Sequence, residues 1–291
     1  TTDAGVKIST GFTMVDEGTD DGADPSGLTL TFTDGSKVDL IEAGSAYATH
    51  TASVPGASGE QGISGTTDNA APGGLNFSSS NDNVGFEWHS AADAMGVDGL
   101  KWGISAAFGD DGDGASSSTA ESSYSVGVSY VTDAGDTTVT VGGGWMSASD
   151  SNATTSNDKA DEVTMALTAA TGNLTVGAGF ASGSMVSSHS ASTQSVEVDS
   201  AEVITVGAKY VSGDLTMSIG YADGEASDTA TFGNQGSGTD SKESMSASVD
   251  YAVASGVTAT VGYTSVDSAD EGVSDSANSG SSWYIGTNVS F

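Results

Sequence analysis

Cysteine and arginine are absent from the 291 residues, and proline occurs only 3 times. Without cysteine there is no disulfide framework and no thiolate metal site. Basic side chains are nearly missing too: 6 lysines stand against 39 acidic residues, for a formal net charge of −33. Nucleic acid is therefore excluded as a partner, because phosphate binding needs the opposite sign. Such acidity suits a salt-rich exterior in which ions screen self-repulsion. No apolar run approaches the length of about 18 residues that a membrane-spanning helix needs. That leaves a soluble β protein or a membrane barrel, whose signal per strand is weak. The chain opens at Thr1 without a basic and apolar leader, so any secretory signal is expected to have been removed.

What is present is glycine, at 41 positions, with abundant Ser, Thr, Ala and Val, a composition that favours extended segments over helices. From residue 83 onward, segments of about ten residues place an apolar residue at every second position, the period of a strand. Leu174, Val176, Ala178 and Phe180 form one face, with Thr175, Gly177 and Gly179 on the other. The same pattern runs through Leu100, Trp102, Ile104, Ala106 and Phe108, and through Leu215, Met217, Ile219 and Tyr221. It predicts about 14 strands, near 5–15, 27–33, 36–42, 83–89, 99–108, 122–131, 137–147, 161–169, 173–183, 201–211, 214–222, 243–252, 257–265 and 281–291.

Short and long connections alternate. Short ones fall at Asp34-Gly35, 90–98, 132–136, 170–172, 211–213 and 253–256, and long ones at 16–26, 43–82, 109–121, 148–160, 184–200, 223–242 and 266–280. Such alternation puts every long loop at one end of an up-and-down antiparallel sheet. Asp34-Gly35 reads as a two-residue hairpin turn in which both residues take positive φ.

The two faces decide between the remaining classes. Alternate positions of Ser, Thr, Gly and Ala cannot fill a dry core at normal packing density. The apolar face is therefore predicted to lie outward in lipid and the polar face to line water, since that much exposed apolar strand would otherwise aggregate. Aromatics near strand ends, including Tyr124, Tyr130, Trp145, Tyr210, Tyr221, Tyr251, Tyr263 and Trp283, look like interfacial girdles. The expected fold is all-β: a single antiparallel up-and-down transmembrane β-barrel over residues 1–291.

The last segment, Trp283-Tyr284-Ile285-Gly286-Thr287-Asn288-Val289-Ser290-Phe291, alternates through to a terminal aromatic. In this, and in its hairpin pattern over nearly the whole chain, the sequence resembles the trimeric, sixteen-stranded general diffusion porins of Gram-negative outer membranes. Thr1-Thr2-Asp3-Ala4-Gly5-Val6 is similar to the turn that enters the third strand of such proteins. The resemblance implies sixteen strands with a first hairpin missing from this sequence, a genuine fourteen-stranded barrel being the alternative. It implies passive diffusion of small hydrophilic solutes and ions, no enzymatic activity, and a homotrimer in contact with outer-membrane lipid and lipopolysaccharide. Phe291 would be the signal read by the outer-membrane assembly machinery.

In such proteins a long loop folds into the lumen, and residues 43–82 are expected to do so here. Lys7, Lys37, Lys101 and Lys209 fall on the polar parity of their strands; a charge facing lipid near mid-membrane costs about 2–4 kcal/mol, so the lumen is their natural place. They are either simply solvated there or form the basic wall that porins set against an acidic inward loop, with Glu42, Glu60 and Asp68 as partners. The missing arginines weaken a strongly focused field.

Asp110, Asp111 and Asp113, interleaved with glycine, are a candidate calcium site or a solvated acidic loop. They lack the distal Glu of an EF-hand. No other cofactor is expected. His50, His89 and His189 are scattered along the chain with no metal-ligand spacing. The charge balance favours cations over anions. A solute-specific channel and a secreted acidic, calcium-stabilised adhesin or surface-layer protein are the competing readings. The first would show an arginine ladder or lumenal aromatics, and the second a fixed short repeat.

Overall fold

The computed structural model describes residues 2, 5–12, 25–40, 45–56, 84–108, 122–149, 159–186, 197–229, 238–269 and 278–290. Fourteen strands follow one another: β1 (Lys7–Phe12), β2 (Pro25–Thr31), β3 (Lys37–Leu40), β4 (Val84–His89), β5 (Leu100–Phe108), β6 (Ser122–Ala134) and β7 (Thr137–Ser149), then β8 (Lys159–Thr171), β9 (Leu174–Val186), β10 (Glu197–Ser212), β11 (Leu215–Thr229), β12 (Gly238–Ala254), β13 (Val257–Ala269) and β14 (Asn278–Val289). A short helix, α1 (Ala46–His50), and one 3-10 turn at Ala94–Gly96 are the helical pieces among the described residues.

Each strand pairs antiparallel with the next, in the order β1 to β14 without a crossover. The sheet is not closed: β1 and β14 are its edges. Among the described residues the strand count is the one the alternation predicts.

Every two-residue alternation read from the sequence is a pair of faces in space. On β6, Tyr124, Val126, Val128 and Tyr130 are exposed while Ser125 and Gly127 are buried. On β8, Val163, Met165 and Leu167 are exposed while Glu162 and Ala166 are buried. The wall is thus inverted relative to a water-soluble sheet, with apolar side chains outward and small or polar ones inward.

Aromatics mark the edges of the apolar band. Phe108 meets Tyr124 edge-on with centroids 6.1 Å apart, and Tyr263 packs on Trp283 at 4.8 Å. Beyond Tyr221 and Tyr263 the outward positions become acidic, at Asp223, Glu225, Glu243 and Asp267, all exposed. That change of character fits the upper limit of a lipid-facing belt. The strands continue past it, and β10, β11 and β12 run to 16, 15 and 17 residues.

The short turns follow glycine. Gly135, Gly172 and Gly213 have positive φ at the first position of the two-residue loops between paired Ala134 and Thr137, Thr171 and Leu174, and Ser212 and Leu215, as a type II′ turn requires. Asp34-Gly35 differs from the sequence expectation. Phe32 and Ser36 pair through Phe32 N–H donating to the Ser36 carbonyl, Gly35 N–H donates to the Phe32 carbonyl, and Gly35 alone in this turn has positive φ. The loop therefore has three residues and ends on a left-handed glycine. Asp34 gains by this, because its Oδ1 accepts from both the N–H and the hydroxyl of Ser36.

Candidate functional site

The inner wall has a recessed track. In register across the sheet lie His89 of β4, Gly103 of β5, Gly127 of β6 and Gly144 of β7. One step toward the long loops lie Glu87, Ser105, Ser125 and Met146. The glycines remove side-chain bulk where another chain segment must approach, and α1 fills the space. A methyl group on Gly127 would collide with the Ala46 carbonyl, and one on Gly144 would reach within 2.9 Å of the Tyr47 Cα. Ala46 is accordingly 0% exposed.

A five-residue helix has too few internal hydrogen bonds to stand alone. Here the wall completes it. Ala46 N–H donates to Ser105 Oγ at 3.2 Å and Tyr47 N–H to Ser125 Oγ at 3.1 Å, so wall serines satisfy two of the orphan N–H groups of the first turn. Ser45 and Ser105 hydroxyls lie 3.0 and 2.6 Å from Ser125 Oγ. Thr49 Oγ1 donates to Glu87 Oε1 at 2.6 Å, and His50 Nδ1 lies 3.0 Å from Ser129 Oγ. His50 is 5% exposed, and its Nε2 makes no hydrogen bond. Burial, followed by the nearby His89 and Lys101, holds the His50 imidazolium below the usual histidine range.

After α1 the chain continues along the same wall. The His50 carbonyl covers Gly142, Val54 stands over Gly179, Pro55 lies against Gly177 and Gly207, and Gly56 faces Gly220. Gly177, Gly207 and Gly220 are again one cross-strand row, which continues into Ser246 and Thr264, both 0% exposed. Residues 45–56 thus form a strap on the inner face from β5 to β11.

Below α1 the strands β3 and β4 bring four charged or titratable groups together. Lys37 Nζ and His89 Nε2 each lie 2.8 Å from Asp39 Oδ2, and His89 Nε2 lies 3.6 Å from Glu87 Oε2. His50 and His89, far apart in sequence, both stand beside Gly103. The signal was the spacing of Lys37 with Asp39 and of Glu87 with His89, two residues apart on the polar parity; their pairing across β3 and β4 needed the register.

Of the residues expected to carry function, Lys37, Lys101 and Lys209 lie on inner-face positions, with Lys37 bonded to Asp39 and the other two exposed. Lys7 lies on the edge strand, opposite Thr31 and on the parity away from exposed Ile8. Glu42, Glu60, Asp68, Asp110, Asp111, Asp113 and Phe291 lie outside the described residues, as do His189 and residues 57–82 of the expected inward loop. The serine pins on α1 were missed by sequence reading, because serine is too common in this chain to stand out.

An inverted fourteen-stranded wall with a strap along its polar face defines a transmembrane β-barrel channel. The sequence profile of the Gram-negative porins matches residues 1–271, and the chain belongs to that family and to the outer membrane in which it resides. A refined porin structure superposes with a TM-score of 0.59 at 15% identity, covering 98% of this chain and 91% of that one. OmpF of Salmonella typhi, solved with daunomycin, gives 0.58 at 15% identity, covering 91% of this chain and 78% of the other. OmpT of Vibrio cholerae, also solved in a trimer form, gives 0.55 at 15% identity, covering 96% of this chain and 84% of that one. At these identities the likeness is one of fold. A search of curated proteins by sequence gives no match. The family points to a channel and not to an enzyme.

Proposed function

We propose that this porin is a general diffusion channel for small hydrophilic solutes and ions that prefers cations, and that it works as a homotrimer in contact with lipopolysaccharide. The observation that carries the reading is the combination of a polar inner wall with a formal net charge of −33. The trimer rests on the family and on the trimeric OmpT that shares the fold. Residues 43–82 narrow the pore in this reading, a role supported by the seating of 45–56 on the glycine track. Lys7, Lys37, Lys101 and Lys209 are then basic wall residues facing an acidic loop, and Phe291 is the assembly signal.

Acidic loops raise the cation concentration at the mouth of the pore, and salt screens that field. The Debye length falls from about 10 Å at 0.1 M to about 3 Å at 1 M. Reversal potentials under a KCl gradient test this. The expected potassium-to-chloride permeability ratio exceeds one in dilute salt and collapses toward one in concentrated salt. A ratio at or below one in dilute salt would refute the preference.

A further inference from the structure

Three atoms that bind metals well converge at the foot of the strap. One carboxylate oxygen each of Asp39 and Glu87 and a ring nitrogen of His89 all lie within 4.8 Å of one another. His89 Nε2 is 2.8 Å from Asp39 Oδ2 and 3.6 Å from Glu87 Oε2. A tetrahedral zinc ion with ligands at about 2.0–2.2 Å holds its donors roughly 3.3–3.6 Å apart, so small side-chain shifts admit one.

The remaining oxygens of both carboxylates are already tied down. Thr29 Oγ1 donates to Asp39 Oδ1, and Thr49 Oγ1 of α1 donates to Glu87 Oε1. Outer hydrogen bonds of this kind orient the ligands of metal sites. Burial adds to the case: Glu87 is 3% exposed, and its Oε2 lies 3.6 Å from His89 Nε2. A second imidazole stands close by. The unpartnered Nε2 of buried His50 would lie 2.9 Å from a Cβ on Gly103, the residue paired with His89.

We propose that Asp39, Glu87 and His89 form a lumenal site for a divalent transition-metal ion of the zinc type. One imidazole with two carboxylates favours zinc, nickel or copper over magnesium or calcium, which take oxygen ligands alone. Lys37 is the built-in competitor. Its ammonium occupies Asp39 Oδ2, yet its side chain is 42% exposed and is free to swing into the lumen when an ion arrives. A bound ion would tie β3 and β4 to the strap through Thr49 and place two positive charges on the wall.

The test is a titration of the full chain, folded in detergent micelles, with zinc chloride against a competing fluorescent chelator, with binding read independently of conductance. One saturable site per chain is expected. His89→Ala should weaken it by about tenfold or more and Thr49→Val by about tenfold, whereas Lys37→Ala should tighten it by removing the competing cation. X-ray absorption of the bound zinc should show one nitrogen among its ligands. Absence of a 1:1 site would overturn the proposal, and so would zinc bound through oxygen alone, the signature of the acidic loops. Should His89→Ala not fold, Lys37→Ala decides: unchanged or weaker zinc binding there also overturns it.

Discussion

At the residue scale the most consequential side chain is the one glycine lacks. Gly127 admits the Ala46 carbonyl against the wall, and a larger residue there would meet both that oxygen and the His50 Cβ. Gly127→Val is tolerated by a β-strand but not by the strap. It should leave the barrel folded, as judged by its shift on boiling in SDS, and raise single-channel conductance as α1 lifts from the wall; unchanged conductance would mean that the strap does not depend on this contact. His50 gives the strap a pH dependence whose sign is set by burial. Because its folded pKa lies below the unfolded value of about 6.5, the docked strap has its full stability above that value. It loses stability as the pH falls through the folded pKa, since the unfolded chain then binds the extra proton. The protection of residues 45–56 against hydrogen exchange, taken relative to the intrinsic rate at each pH, should fall between pH 7.5 and 5, and His50→Gln should remove that fall.

At the scale of elements, strand identity and facing were both legible. The alternation Leu215, Met217, Ile219, Tyr221 against Thr216, Ser218, Gly220 assigns β11 its lipid and lumen faces without any structure, because the side-chain period of a strand is two. This predicts opposite outcomes for neighbouring substitutions of one strand. Ile219→Lys should destabilise the folded barrel in lipid by about 2–4 kcal/mol and Thr216→Lys by much less, as measured by urea unfolding in vesicles. The helix α1 was not legible. Five residues carry no helical periodicity, and its N–H groups are satisfied by Ser105 and Ser125, 59 and 78 residues away in sequence. Deleting most of residues 43–82 should raise conductance if the strap narrows the pore; an unaltered conductance in a folded barrel would rule that role out.

At the scale of the whole molecule, charge and wall are decoupled. The inner face carries Lys37, Lys101 and Lys209 beside Asp39 and Glu87, so the wall is mixed in sign. The large negative excess belongs to the chain as a whole. Cation preference should therefore fall on acidification toward about pH 4, where ordinary carboxylates take up protons, and reversal potentials at pH 7 and pH 4 check it. A preference that persists undiminished at pH 4 would rule out the acidic excess as its origin.

The sequence by itself determined the strands, their up-and-down order, the inversion of apolar and polar faces and the acidic character, because each of these is a local periodicity or a sum. Only the tertiary structure decided which glycines receive the strap, that the Asp34 turn is a three-residue loop, and that Asp39, Glu87 and His89 meet. Those are questions of register between strands. A shift of one residue in pairing would preserve every alternation in the sequence and yet send each of these side chains to the other face.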